Sequence, residues 1–429
     1  MRAAFWLLAL FAVAAASALF AGNNRAVVAV FWPPHRIDVS FNLAIFLLLG
    51  SFILLFVALR ALSAVTTLPS QARAWRAQQK ERAMHGALMD ALAHQLAGRY
   101  IRATKSAQNA LTQESSLSQL AKDTGEVPGY SAARASQLQS LAHLLVAESA
   151  QSLQNTALRD QHLQLALHSS SPRHAQEVRE GVLLRAARWA LDDNDAAAAV
   201  GALSQLPQGA GRRMSALRLK LRATRQLKQT PEALDTARLL AKHRAFSPPA
   251  AQSIVRGLGI ELLSDAHDPA QLEQAWAALD ANERAMPELA VHAAARLMTL
   301  NGSAELARTW LLLVWDEAMK AQSSVTDSLR IKLIGALEMG LDTLDAAWLA
   351  RIEAAQIARP RDANVQYLAG RAALSRKLWG KARQWLSLSV LGLQDAGLHR
   401  KAWLALAALA EQRQDAVAEA EAYKQAALH

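Results

Sequence analysis

The chain opens on two long apolar runs, and a shorter-period pattern then replaces them. Residues 3–22 and 39–59 each hold no charged side chain. A helix of about 20 residues reaches about 30 Å, the thickness of a bilayer core. The runs predict a transmembrane helical hairpin over residues 1–65, with spans 3–22 and 39–59 and a connecting loop at 23–38. Pro33-Pro34 keeps helix from crossing that loop, and Phe31 and Trp32 stand where interfacial aromatics anchor. Thr66-Thr67-Leu68-Pro69-Ser70 then reads as a break.

From Gln71 onward apolar residues recur at three-four spacing in segments of helical length. Turn residues punctuate them, among them Gly98, Pro128-Gly129, Asp192 to Asp195, Thr230-Pro231, Asn301-Gly302, Gly340, Pro360 and Trp379-Gly380. A small residue recurs about five positions past the turn. Ala103 follows Gly98 in this way, Ala307 follows Gly302 and Ala347 follows Asp342. Ala347 and Ala382 are 35 residues apart, as are Ala198 and Ala233. Gly370 stands where the two helices of a pair would cross closely. The fold class is therefore all-α: a transmembrane hairpin followed by a tetratricopeptide-like α-solenoid of about eight helix pairs. Basic juxtamembrane helices occupy 66–110 and degenerate repeats 111–429, with residues 104–172 fitting the period least well. The competing reading is an irregular helical domain in which Ala ladders arise from an Ala-rich composition.

Charge orients the anchor. Arg60, Arg73, Arg76, Lys80 and Arg82 follow the second run with Glu81 the one acid among them, whereas the connecting loop holds Arg25 and Arg36 against Asp38. The positive-inside rule then puts a multi-pass protein in the bacterial inner membrane with its C-terminal domain in the cytoplasm. Ala16-Ser17-Ala18 has the small-x-small form of a signal-peptide cleavage site, the alternative for the first run. The formal net charge of +11 favours anionic lipid or acidic partner proteins.

The 429 residues include no cysteine, which excludes disulfides, thiolate metal sites and thiol nucleophiles. No phosphate-binding glycine motif and no metalloprotease motif occurs; Gly257-Leu-Gly259 is a lone fragment that reads as a turn. His85 and His94, and His162 and His168, lack ligand spacing, and Met84 and Met89 read as core fillers. The chain is not expected to be an enzyme and carries no cofactor or metal motif. Arg212, Arg213, Arg218, Lys220, Arg222, Arg225 and Lys228 form a run without an acid. Arg218, Arg222 and Arg225 share one helical face and are the candidate basic interaction face, for an acidic partner, a lipid headgroup or a carboxylate-bearing tetrapyrrole. The run has no interleaved aromatics, so nucleic acid is not expected. Trp276, Trp310, Trp315, Trp348, Trp379, Trp385 and Trp403 fall at core-like positions.

The loop from Ala26 to Phe41, with V-x-V and I-D-V-S, and the turn L-A-G-R-Y-I-R-A from Leu96 to Ala103 resemble the HemY proteins of proteobacteria. These are inner-membrane proteins associated with haem biosynthesis. The resemblance implies a scaffold in late porphyrin synthesis, with late haem-pathway enzymes such as ferrochelatase as partners and no catalytic residues to carry over. An unrelated flavin-dependent porphyrinogen oxidase shares the family's symbol; this chain lacks its dinucleotide fingerprint. Haem or porphyrin binding has no supporting motif. The alternative is a tetratricopeptide adaptor for another envelope assembly process.

Overall fold

The computed structural model describes residues 10, 11, 13, 14, 16–18, 22, 25–124, 131–320, 322, 323 and 325–428. Most of the first predicted span, 3–22, lies outside them. The chain separates into two compact units, Met1–Arg179 and Glu180–His429.

The first unit departs from an all-α reading at once. Val27–Trp32 (β1) and His35–Ser40 (β2) pair antiparallel, with Val27 opposite Ser40 and Trp32 opposite His35. Proline excludes helix from Pro33-Pro34 but suits a tight turn, and the β-branched runs on either side supply the strands. Ser40 ends β2 and caps the next helix, its Oγ accepting from the Leu43 N–H at 3.4 Å. That helix, α1, runs from Phe41 to Leu96 as 56 residues. Its first stretch, Phe41–Ser63, is the one described helix long and apolar enough to cross a membrane. The predicted two-helix transmembrane hairpin is thus represented by a single described span. It starts two residues later than expected because Val39 and Ser40 belong to β2.

α1 does not break at Thr66 to Ser70. Pro69 supplies no N–H to the Val65 carbonyl, a defect of about 3 kcal/mol in a helix interior. The regular hydrogen bonding on either side outweighs it. Beyond Ser63 the helix continues for 33 residues, or about 50 Å. Tyr100–Thr124 (α2) returns along it. Ala107 and Ala110 pack with Ala87, Leu88 and Ala91, while Leu117 reaches Ala77 and Met84, so the two helices run antiparallel. Ala132–Ser152 (α3) and Thr156–Ser169 (α4) complete the unit. The 25 and 21 residues of α2 and α3 exceed a repeat helix, which is why this stretch fits the period least well.

The second unit is a succession of shorter helices. They are Gln176–Asp192 (α5, whose first turn belongs to the first unit), Ala196–Ser204 (α6), Met214–Gln226 (α7), Thr230–Lys242 (α8), Pro248–Ser264 (α9) and Pro269–Ala277 (α10). There follow Pro287–Thr299 (α11), Ala304–Ala318 (α12), Asp327–Glu338 (α13), Ala346–Ala358 (α14), Ala363–Ser375 (α15), Trp379–Ser389 (α16), Ala396–Glu411 (α17) and Ala416–Leu428 (α18). Alternate helices α9, α11, α13, α15 and α17 pack on one another in order, and α12, α16 and α18 cover α11, α15 and α17. This is the packing of a helix-pair array, in which each pair buries its apolar face against the next.

One turn recurs through both units. Gly98, Gln154, Asn194, Lys228, Asn301, Lys377 and Gln414 all have positive φ, between 54° and 71°. In each case the next residue donates its N–H to the carbonyl five residues back, as Asn155 does to Ala150, Asp195 to Ala190, Gly302 to Leu297 and Asp415 to Ala410. This left-handed cap satisfies the last carbonyls of the first helix. It delivers the chain into the next helix within one or two residues.

Candidate interaction surface

The left-handed turn sets the register of the packing residues. Ala103, Ala233 and Ala382 lie five positions beyond Gly98, Lys228 and Lys377, and all are fully buried. Ala307 and Gly370 are buried as well. A Cβ on Gly370 would stand 2.7 Å from Leu386 Cγ and 3.1 Å from the Leu386 backbone N, so α15 and α16 approach too closely there for any side chain. Two expected packing positions need correction, because Ala198 and Ala347 are exposed. The left-handed residue of the Asp-Asp-Asn-Asp turn is Asn194, so the buried position falls on Ala199. The Gly340 connection contains a one-turn 3-10 helix, Leu341–Thr343, which moves the cap to Asp345 and the buried positions to Trp348 and Ile352.

The basic run is spread around α7 and the turns that flank it. Arg218, Arg222 and Arg225 are all exposed, yet two of them bind carbonyls at the ends of other helices. The Arg222 guanidinium donates to the Leu191 carbonyl at 3.3 Å and to Asp192 at 3.2 Å, at the end of α5. Arg218 donates to the Ala245 carbonyl at 3.3 Å, just past α8. Arg225 and Lys228 line a cleft of about 350 Å³ whose other polar walls are Thr230, Glu261 and Asp265. Opposed carboxylates make this cleft charge-balanced rather than anion-selective.

The same device recurs elsewhere. Arg238 donates to the Ala278 carbonyl at 3.0 Å, Arg296 to Ala266 at 2.9 Å, and Arg308 to Gly340 and Thr343, each at 3.1 Å. A guanidinium at a helix C-terminus satisfies orphan carbonyls and faces the negative end of the helix dipole. Part of the chain's arginine content therefore fastens one helix to another.

Further along the array the first helices of successive pairs carry a polar network that the residue pattern did not reveal. Glu338 on α13 accepts from Tyr367 Oη on α15, pairs with Arg371 Nε at 3.2 Å, and pairs with Lys401 Nζ on α17 at 2.8 Å. Burial, reinforced by the bond to the Glu338 carboxylate, pushes the Tyr367 phenol well above its ordinary range. One carboxylate shared by two cations and a phenol links three repeats. Nearby, His292 Nε2 meets Ser264 Oγ at 2.9 Å, and its pKa is lowered by burial and then by Arg296 and Lys332. That keeps His292 neutral in a locally cationic patch. The constituents lie on three different helices, so no local motif announces them.

The first unit holds a histidine pair. His143 on α3 and His162 on α4 approach with Nδ1 to Nδ1 at 3.0 Å. Burial, then the neighbouring ring, holds His143 down to about 4, and burial lowers His162. Both rings are neutral at pH 7, one donating to the other. The partner of His162 is thus not His168 but a residue 19 positions upstream, on the preceding helix. Among the described residues no group of three or more His, Asp or Glu side chains could hold a metal ion.

Four of the tryptophans pack in pairs between helices. Trp276 stacks on Trp310 at 4.8 Å between ring centroids, and Trp315 meets Trp348 edge-on at 6.0 Å.

Comparison with known proteins adds one specific match. Residues 27–124 fit the family model described as the HemY protein N-terminus. The match runs from the first residue of β1 to the last residue of α2, so it covers the hairpin, the apolar span and the long helical return. No curated protein matches the chain. Among solved structures, a chain of Naa15/Naa10 bound to HypK-THB aligns at 12% identity and a TM-score of 0.24, over 77% of this chain and 57% of that one. The TPR domain of P58(IPK) aligns at 12% and 0.22, over 77% and 99%, and a chain of the APC/C hetero-tetramer Cut9-Hcn1 at 15% and 0.27, over 84% and 68%. The chain thus spans little more than half the length of the first. Scores of this size do not establish a shared fold, and the helix-pair array rests on its own packing. Across β1, β2, α1 and α2, residues 27–124 are thus similar to the N-terminal region of the HemY proteins.

Proposed function

We propose that the protein is a membrane-anchored interaction scaffold in late porphyrin synthesis. The observation that carries this reading is the HemY match over the anchor and its helical return. Phe41–Ser63 holds the chain in the inner membrane, and the excess of basic residues after the span favours a cytoplasmic repeat domain. The helix-pair array supplies a surface for late haem-pathway enzymes such as ferrochelatase. Holding them at the bilayer raises their effective concentration where poorly soluble tetrapyrroles partition. The cationic patch around His292, Arg296 and Lys332 suits an acidic partner segment. No step of chemistry is assigned to the chain itself.

The test is genetic and biochemical. Deleting the gene should lower haem and raise its porphyrin precursors. The full chain should restore both, whereas a chain starting after Ser63 should not. Unchanged haem and porphyrin levels in the deletion would refute the haem reading. Purification in mild detergent should recover late haem-pathway enzymes; recovery of envelope assembly factors in their place would support the adaptor role.

A further inference from the structure

The β-hairpin is two-faced. Its register sets Val28 opposite Val39, Val30 opposite Ile37 and Trp32 opposite His35, so strand alternation gathers Val28, Val30, Trp32, Ile37 and Val39 on one face, with His35 at its turn end. The other face carries Ala29 opposite Asp38 and Phe31 opposite Arg36. There the charges are self-satisfied: Arg36 Nε lies 3.0 Å from Asp38 Oδ1, and its guanidinium sits 5.5 Å from the Phe31 ring centroid. Among the described residues the apolar face has no such cover. Val28 and Val39 are half-buried, but Val30, Ile37 and Trp32 are 47%, 54% and 74% exposed. A lone two-stranded hairpin is at best marginally stable in water, and an uncovered apolar face adds to that cost.

We propose that this apolar face lies on the bilayer, at the boundary between headgroups and acyl chains in the leaflet that α1 enters at Phe41. The occupant is lipid because the face is continuous with a lipid-directed surface. β2 passes into α1 without an intervening residue, and the Phe41 N–H donates back to the Ala26 carbonyl at 3.0 Å, which ties both strands to the start of the span. None of the apolar window of that span is buried by protein. A strand of six residues reaches about 20 Å, so a hairpin laid flat keeps Val30, Trp32 and Ile37 at interfacial depth with Arg36 and Asp38 toward water. Trp32 then occupies the position that tryptophan favours at membrane–water interfaces. Phe31, although adjacent, faces away from lipid under Arg36. The inference rests on the reading that Phe41–Ser63 crosses a bilayer.

The cysteine-free sequence makes the test direct. Single variants of the full chain, Val30→Cys, Ile37→Cys, Ala29→Cys and Phe52→Cys, carry an environment-sensitive NBD label in phosphatidylethanolamine–phosphatidylglycerol nanodiscs. Nitroxide lipids spin-labelled near the headgroup or deep in the chain serve as quenchers. Labels at 30 and 37 should be quenched by the shallow nitroxide at least about twofold more than the label at 29, and the label at 52 by the deep nitroxide. Equal quenching at 29 and 30, with 52 still quenched, would overturn the hairpin assignment and leave the span intact. A blue-shifted but unquenched label at 30 would overturn it in favour of a protein cover, such as a second copy. An unquenched label at 52 would overturn the span and the hairpin together.

Discussion

The unit ending at Arg179 and the unit starting at Glu180 bury their helices with different residues. Where α1, α2 and α3 meet, the core is mainly Ala87, Ala91, Ala107, Ala110 and Ala142, with Leu88, Leu145 and Val146 beside them. In the second unit the core is built from leucines and tryptophans such as Leu234, Leu263, Leu289, Leu311, Trp276 and Trp315. Alanine lets long helices lie close but contributes little apolar area per residue. If Phe41–Ser63 crosses a bilayer as proposed, the 56-residue helix tolerates this because its first stretch finds its apolar environment in lipid. Short repeat helices have no such recourse and depend on bulky side chains from the next pair. Their buried ionisable groups differ likewise. The first unit holds the His143–His162 pair beside the buried Arg159, whereas the second holds the Arg238–Glu283 and Glu338 clusters.

The largest effect that would test this contrast comes from the glycines. Gly370→Leu forces a side chain into Leu386 and should destabilise the second unit by about 3 kcal/mol or more. Gly98→Ala meets nothing within 4 Å and suffers only from a φ of 71°, so it should cost about 1 kcal/mol. Urea denaturation followed by region-resolved hydrogen exchange reads both; equal losses would erase the distinction between steric and conformational glycines.

Next in size is the fork between Arg238 and Glu283, with Nε to Oε1 at 2.9 Å and Nη2 to Oε2 at 2.6 Å. Glu283→Gln leaves a guanidinium short of its partner and should cost about 2 kcal/mol, below the range for fully buried pairs because Arg238 is 24% exposed. A midpoint shift under a third of that size would mean the fork is solvent-screened.

The pH response should then separate the units. His143 and His162 have folded pKa values below the unfolded one, so the unfolded chain binds more protons and stability falls as pH drops from about 6.5 toward 4. Burial raises the Glu283 pKa, but the hydrogen bond from Arg238 and its charge outweigh that, and the net shift is downward. Its contribution is present above the ordinary carboxylate range and is lost only as pH falls through the lowered value. Hydrogen exchange in residues 132–169 should therefore accelerate over that range; His292, also lowered by burial, loosens its contact with Ser264 in the same direction, while the Arg238–Glu283 fork stays intact to lower pH. His143→Gln should reduce the step at 132–169 and leave the one at 248–264 in place; an equal reduction in both regions would contradict the assignment.

The smallest effect belongs to the basic face. Arg222→Ala removes one clamp on α5 and one exposed ion pair, about 0.5–1 kcal/mol. Arg225→Ala should leave thermal stability unchanged, since Arg225 lines an open, charge-balanced cleft. A loss at Arg225 equal to that at Arg222 would show that the cleft carries structural weight.

Composition and periodicity determined the helical class, the apolar span, the turn spacing and the small residue at Gly370, because each depends on neighbours within a few residues of sequence. Asn301 and Gly302 advertise their turn for the same reason, whereas Trp379-Gly380, read as a turn, open α16 and the left-handed residue is Lys377. The offset at Ala198 shows the limit: a helical face is narrow, and misplacing the left-handed residue by one rotates the whole assignment by about 100°. The passage of α1 through Pro69 was not legible either, since the local cost of proline is decided against the helical hydrogen bonds on both sides of it. The hairpin hid inside a loop because its strands are short and its two faces exist only once the register is set. The Glu338 network and the His143–His162 pair join residues 19 to 63 positions apart. Such partners are chosen by how helices stack, a tertiary outcome on which the order of residues along any one helix is silent.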